Sequence, residues 1–568
     1  MLKKAEHKAK HSNEQPRKEH HKEAPKLSSR KKTILVFAIL ALILALALHY
    51  ALTHWEGISL YGDDPVYVSL AGYAANGTFM EEIGYIFTVR LAEIYGIALF
   101  FKLFGTTDFV AGLWNTMSYI GIIIVTFLFV RMYYDDKAAL TSAFLVTIFP
   151  LISKYALNIS DDIPLTFFGS LAILLFIYAE RTNKKYYYFA SGLLLVFIWL
   201  ITYESGIIIL FTILLAIVEV LRGKVKINTD SIFFLYGIIF LFLVVFIFSY
   251  YNSHLPFLVI TENTRFYSAV GTQVNGLATI PSTNTNLTVY PNAMFQYNIW
   301  GALTSKPYKY VPLNLYNTLF PLINTSEYGL YFYLIIPMIL VLLALREKRS
   351  YFFIAWFLFV FAFLEAGPMH VGITLHPFSI TYLLAYRLLR FMLIITVPLC
   401  AIMGIAMAKL LEFKNRYLLA IGIFFFLAIL ALLYANNYSI SSFWYYWQRY
   451  PEDLMIPAAN YLKAMPNAQI YLEGSIPPND VPISYSSSAI ETYLGRPAAT
   501  DVNYSITTQT SCSSFRADSY IIWSGPPMCV GWVDVLNITK YPPGIPIQII
   551  NADYPTLPYP VTNIYYYR

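Results

Sequence analysis

Asp63 and Asp64 stand side by side in Tyr61-Gly62-Asp63-Asp64-Pro65-Val66-Tyr67, a few residues beyond a long apolar run. Two adjacent carboxylates near a low-dielectric surface repel each other. One of them takes a raised pKa, or the pair draws in a cation or hydroxyl, and such a carboxylate can act as a general base. The same residues read equally well as a solvated turn that caps a helix starting at Pro65. A second pair, Asp161 and Asp162, lies in Asn158-Ile159-Ser160-Asp161-Asp162-Ile163-Pro164. Taken alone it is more ordinarily an N-cap, acidic residues just ahead of a helix with Pro in its first turn. Arg90 opens an amphipathic stretch that ends in Phe100-Phe101-Lys102-Leu103-Phe104-Gly105. It reads as an anion ligand or as an arginine snorkelling from an interfacial helix. Arg387 and Arg390 head a late apolar run, and guanidinium groups bind phosphate oxygens in pairs. Glu204, His370 and His376 are lone ionisable residues of lower weight, and a lone residue of this kind is more often structural.

These residues must be positioned by membrane helices. The chain has 568 residues, of which 57% are hydrophobic and only 13% charged, and its mean hydropathy is +0.54. Soluble domains carry about twice that share of charge, so a soluble protein is excluded. About eleven apolar runs have spanning length, near 33–52, 108–130, 138–156, 163–180, 186–203, 205–221, 231–250, 328–345, 351–366, 391–408 and 417–434. The first follows a tail with eleven Lys or Arg and reads as a signal anchor with its N-terminus inside. Together with the junctions at 131–137, 181–185, 222–226, 346–349 and 409–416, that tail holds 25 of the 39 Lys and Arg. The net charge of +6 therefore reports topology, not a nucleic-acid surface, and no nucleic-acid partner is expected.

Alternation then divides the chain into a basic, disordered cytoplasmic tail (1–32), a transmembrane domain (33–435) with outer loops 55–107 and 251–327, and an outer segment 436–568. That last segment loses its long apolar runs and gains short strand-like pieces, which predicts a small exoplasmic α/β domain. All seven Asn-x-Ser/Thr sequons, among them Asn158 and Asn437, fall on the expected outer face. Of three cysteines, Cys400 lies in an apolar run, while Cys512 and Cys529 are free to pair in an oxidising compartment. The many Tyr and Trp read as interfacial belts. There is no Walker A sequence, no dinucleotide-binding glycine motif and no His-Glu-x-x-His, so ATP-driven transport and zinc proteolysis have no support in the sequence.

The order of the pieces says more than any one of them. An acidic pair after the first span, an amphipathic stretch ending in Lys102-Leu103-Phe104-Gly105, a second acidic pair after the third span and an arginine opening a late span resemble the membrane GT-C glycosyltransferases. The branch nearest in look contains protein O-mannosyltransferases and lipid A aminoarabinose transferases. Asp63-Asp64-Pro65-Val66-Tyr67 resembles that branch's Asp-Glu-x-x-Tyr, with Asp in the second place. Asp162-Ile163-Pro164-Leu165 matches its second acidic segment, and Arg390-Phe391-Met392-Leu393 with Pro398 looks like its late Arg-Tyr-Leu-Leu segment. The likeness covers roughly residues 33–435. No Trp-Trp-Asp block of the oligosaccharyltransferase kind is present, which speaks against asparagine glycosylation.

The resemblance implies an inverting transfer of a sugar from a polyprenyl-phosphate donor to a protein, lipid or glycan acceptor on the outer face of the cell membrane. Asp63 is then the expected base, with Asp64 and Asp162 beside it as catalytic candidates. Arg390, Arg90 and Arg387 are expected to hold the donor phosphate, and Asp161, Tyr67 and Glu204 to support the site. No cofactor is the preferred reading, with a divalent cation between the acidic pairs left open. Two other classes compete. A transporter or lipid-linked-sugar flippase predicts ionisable groups near the bilayer midplane, and an inactive envelope scaffold predicts no working acids.

Overall fold

The computed structural model describes residues 26–55, 64–79, 89–222, 231–254, 257, 259, 330–366, 368–375, 378–384, 393–412, 415–463, 469–472, 519–523, 532–539 and 561–567. The chain is a multi-pass α-helical membrane protein. Among the described residues five helices are long and apolar enough to cross a bilayer: Lys32–Thr53, Asp108–Tyr133, Asp162–Thr182, Phe233–Tyr251 and Arg416–Tyr438. Shorter apolar helices occupy Ser205–Leu221, Tyr333–Ala344 and Leu393–Lys409.

In chain order, α1 (Lys26–Thr53), α2 (Asp64–Asn76) and α3 (Leu91–Phe104) lead through a single turn, α4 (Asp108–Ala111), into α5 (Leu113–Tyr133). The expected span at 138–156 is two pieces, α6 (Asp136–Thr147) and α7 (Pro150–Tyr155), because Pro150 has no N–H to continue the first helix and suits the first position of a second. Then come α8 (Asp162–Thr182), α9 (Lys185–Trp199), α10 (Ser205–Leu221) and α11 (Phe233–Ser253). Asn183 closes α8 in the left-handed region at φ 52°. Further along the chain lie α12 (Tyr331–Ala344), α13 (Tyr351–Ala366), α14 (Thr396–Lys409) and α15 (Arg416–Lys463).

The middle of the bundle is α5, α8 and α14. Every residue of α14 from Thr396 to Ala408 is buried, as suits a helix apolar on all sides. It passes close to α6, where Gly404 leaves no room for a side chain against Ser142. By contrast α1, α11 and α15 expose most of their apolar length, the surface a bilayer would cover. Helices α9 and α11 meet through two glycines. A Cβ on Gly192 would collide with the carbonyl of Phe234, and one on Gly237 with that of Phe189, so both backbones approach as only glycine permits.

One end of the bundle collects the basic junctions. Arg131 pairs with Asp136 at 2.9 Å, and Lys32 reaches the same carboxylate at 3.6 Å. Arg181 donates to the carbonyl of Met132 at 2.8 Å, and Lys409 joins Glu347 at 3.1 Å and Glu412 at 3.0 Å. The opposite end holds the first residues of α2, α3 and α8 and the turn between α9 and α10. A hairpin, β1 (Pro368–Leu375) against β2 (Phe378–Leu384), joins α13 to α14. In the C-terminal segment β3 (Gln469–Leu472), β4 (Ser519–Trp523), β5 (Trp532–Thr539) and β6 (Val561–Tyr567) form a sheet in the order β3-β4-β6-β5, parallel only between β3 and β4. The expected boundary at 435 falls inside α15, which runs on without a break.

Candidate active site

The site grows from the turn that connects α7 to α8. Residues Ala156 to Asp161 are buried although they lie outside any long helix, so their polar groups need partners from elsewhere. Asn115, in the first turn of α5, donates its amide to the carbonyls of Asn158 at 2.6 Å and Ser160 at 2.9 Å. The N–H of Ile159 donates to Asp64 Oδ2 at 3.2 Å. That bond joins the first acidic segment to the second, 95 positions away. Asp64 is thus buried against a partner, and the solvated-turn reading of it is corrected.

The N-cap reading of the second pair is corrected too. Asp161 occupies the N-cap of α8 but caps nothing with its side chain. Its carboxylate instead accepts from Arg90 Nη1 and, at 3.2 Å, from the hydroxyl of Tyr67. Arg90 Nη1 also donates to that hydroxyl, closing a triangle of guanidinium, phenol and carboxylate. The side chains of Arg90 and Asp161 are 11% and 4% exposed, so Arg90 is no snorkelling residue and the pair is shielded from salt. Asp162 is held locally: Ser160 Oγ donates to Asp162 Oδ2 at 3.1 Å and accepts from its N–H at 3.3 Å.

Two further carboxyls complete the cluster. Glu204, at the turn before α10, accepts from Thr202 Oγ1. Burial holds its carboxyl above the usual range, against the pull of Arg90 and with a smaller push from Asp161. Glu93, in the first turn of α3, accepts from Trp114 Nε1 at 2.9 Å, and burial followed by the charge of Asp161 raises it well above the usual range.

The structure therefore brings together Asp64, Tyr67, Arg90, Asp161, Asp162 and Glu204, drawn from four separated segments. Asp63, Arg387, Arg390, His376, Cys512 and Cys529 lie outside the described residues, and of His370 only its backbone position on β1 is described. Among the described residues no group of three or more His, Cys, Asp or Glu is placed to hold a metal ion. Sequence reasoning missed Glu93, Asn115 and Trp114. The available signal was a polar or ionisable residue at the end of an otherwise apolar helix. The sequon at Asn158 is buried, and so is the one at Asn437, which weakens the sequons as markers of an exposed face.

Residues 92–251 match the family model described as dolichyl-phosphate-mannose-protein mannosyltransferase. Among solved structures, ArnT from Cupriavidus metallidurans in the apo state superposes with a TM-score of 0.52 over 95% of this chain and 98% of that one, at 11% identity. The chain has the fold of the GT-C membrane glycosyltransferases. The same ArnT bound to undecaprenyl phosphate gives a TM-score of 0.50 at 10% identity, over 94% and 98% of the two chains. An oligosaccharyltransferase from Archaeoglobus fulgidus tethered to an acceptor peptide gives 0.48 at 12% identity, over 85% of this chain and 69% of that one. No curated protein matches this chain in sequence. The expected resemblance to the mannosyltransferase and ArnT branch agrees with the family-model match over residues 92–251 and with the ArnT fold. The stretch matched by the family model contains Asp161, Asp162 and Glu204 and starts two residues after Arg90.

Proposed function

We propose that this GT-C protein transfers a sugar from a polyprenyl-phosphate donor to an acceptor on the outer face of the cell membrane, with inversion at the anomeric carbon. The observation that carries the reading is the buried junction of two acidic segments at one end of the bundle, made by Asp64 on Ile159 and by Arg90 and Tyr67 on Asp161. ArnT of the same fold is seen with undecaprenyl phosphate, and that donor chemistry is carried to this chain here.

Inverting transfer needs a base to take the acceptor hydroxyl's proton as that oxygen attacks the anomeric carbon, while the bond to the phosphate breaks on the opposite side. Asp63 is our assignment for the base, next to a neighbour whose carboxylate is already committed to Ile159. The leaving polyprenyl phosphate gains charge, and Arg390 with Arg387 stabilises it. Arg90 holds Asp161 in the geometry described above, so its charge is largely spent inside the protein and its part is to fix the second acidic segment. Asp162 and Glu204 line the same end, and the acceptor is a protein hydroxyl, a lipid head group or a glycan. No cofactor is assigned.

The transporter reading is not favoured. Among the described residues the buried ionisable groups Asp64, Glu93, Lys154, Asp161, Asp162, Glu204 and Glu219 sit at or near helix ends, whereas a substrate path would place some near mid-helix. The deciding experiment supplies the purified protein with short-chain polyprenyl-phosphate sugars and follows donor consumption. It also compares surface glycoproteins and lipids of cells with and without the protein by mass spectrometry. Unchanged donor and unchanged surface glycans and lipids would remove the proposal.

A further inference from the structure

Glu93 is a buried acid that the proposed chemistry leaves without a role. It has no accessible surface. Its Oε2 accepts from Trp114 Nε1 at 2.9 Å, while Oε1 is equally enclosed and meets no hydrogen-bond partner among the described residues. Arg90 precedes it by one helical turn, and the N–H of Glu93 donates to the carbonyl of Arg90 at 3.1 Å. Trp114 is itself immobilised: its ring fills the space over Gly96, where no Cβ would fit, and stacks on Phe168 at 5.4 Å between centroids.

The charged groups that face Glu93 are Asp161 and Asp162 at the start of α8 and Arg90 on its own helix. Helix α2 brings Tyr67 and Asp64 to the same end, and Glu204 faces the same Arg90 and Asp161. Helix α5 contributes Trp114 and no charge at this point. Three carboxyl groups, Glu93, Asp161 and Glu204, thus act on one guanidinium, and Asp162 faces Glu93. An ionised Glu93 would compete with Asp161 for Arg90 and repel Asp161, and it would leave a buried charged oxygen without a donor among the described residues.

We propose that Glu93 is a positioning residue for the Arg90–Asp161 pair: as a neutral acid pinned by Trp114, it fixes the first turn of α3, at whose N-cap Arg90 stands, and leaves the guanidinium to Asp161 and the Tyr67 hydroxyl. Burial pushes its carboxyl upward in the same sense. The inference rests on the sugar-transfer reading for its consequence in activity, and on geometry alone for the neutral state.

Two measurements test it, and they fail separately. The first is the infrared C=O stretch of protonated carboxyl groups in the full-length protein near neutral pH. Glu93→Gln should delete one such band, and Trp114→Phe should shift that band upward by removing its hydrogen bond. A spectrum unchanged by both substitutions overturns the proposal whether or not the protein transfers sugar. The second is the pH profile of donor turnover. Glu93→Gln, neutral at every pH and still able to accept from Trp114, should stay within about twofold of wild type near neutrality and lose the alkaline decline that ionisation of Glu93 causes. Glu93→Leu should cut kcat by about tenfold or more with donor KM little changed, since it loosens the turn without touching the donor. A Glu93→Gln profile that keeps the wild-type alkaline limb overturns the positioning role. Absence of turnover in the wild type would instead defeat the sugar-transfer reading, with the infrared result still deciding the state of Glu93.

Discussion

At the scale of single residues, Arg90 is the hinge of the site, and its removal separates structural from catalytic loss. Arg90→Ala strands a carboxylate that is almost wholly enclosed, and breaking a buried pair from one side costs about 3–5 kcal/mol. Arg90→Lys keeps the charge and loses the fork, so it should fall between. Thermal unfolding of the purified variants gives the order, and equal stability of all three would show the pair to be incidental. Asp63→Asn should lower sugar transfer by roughly 10²-fold or more with folding intact, and Asp64→Asn by less, because an amide oxygen still accepts from Ile159. Wild-type turnover in Asp63→Asn would remove that residue as the base. The raised carboxyls of Glu93 and Glu204 also set a direction for stability. The folded protein keeps protons that the unfolded chain has already lost. Their contribution to stability is therefore full below the ordinary carboxylate range and is lost as pH rises from there through the raised values. Melting temperature should fall along that window, and a flat profile would contradict it. Much of this cluster was readable, because paired acids and a lone arginine stand out in an apolar chain. The partner of Asp161 was not. Arg90 lies 71 positions away, and a local reading of Asp before Ile-Pro sees only a cap.

At the scale of elements, hydropathy located the helices, and the departures have local causes. Pro150 divides one expected span and so creates the short α7 whose exit turn carries Asp161 and Asp162. That break was legible as a proline, but that it serves the site depends on Asn115 reaching across from α5. Helix α3 was legible as amphipathic, and it proves to be fastened on two sides, by the N–H of Ala92 to the carbonyl of Leu200 at 3.0 Å and by Glu93 to Trp114. The close approach of α9 and α11 could not be read at all, since a lone glycine in an apolar run carries no address. Gly192→Leu should force these helices apart and destabilise by about 1–3 kcal/mol, as overpacked cores do. Gly206→Ala, at a glycine with open space around it, should be near neutral. Matching unfolding curves for Gly192→Leu and wild type would mean that the contact gives way freely.

At the scale of the whole molecule, the separation of a basic end from an acidic end sets the expected orientation: N-terminus in the cytoplasm and residues 436–568 outside. Protease added to intact cells should trim the C-terminal segment, and its protection under conditions that cleave other surface proteins would reverse the topology. The long α15 carries the chain from its apolar half, Arg416–Tyr438, onward to Lys463 as one helix, so whatever the terminal segment binds would be felt along a rod anchored in the bilayer. The central α14 has a different consequence, which concerns time. A ribosome delivers Asp64, Arg90, Asp161 and Glu204 long before residue 396, yet the helix that fills the middle of the bundle is among the last to emerge. During synthesis the face of α6 at Ser142 has no Gly404 to meet until then. Packing of the bundle's middle therefore waits for α14, and a lesion in it, such as a bulky residue at Gly404, should appear as a failure of maturation and early degradation in the cell before any loss of turnover could be measured.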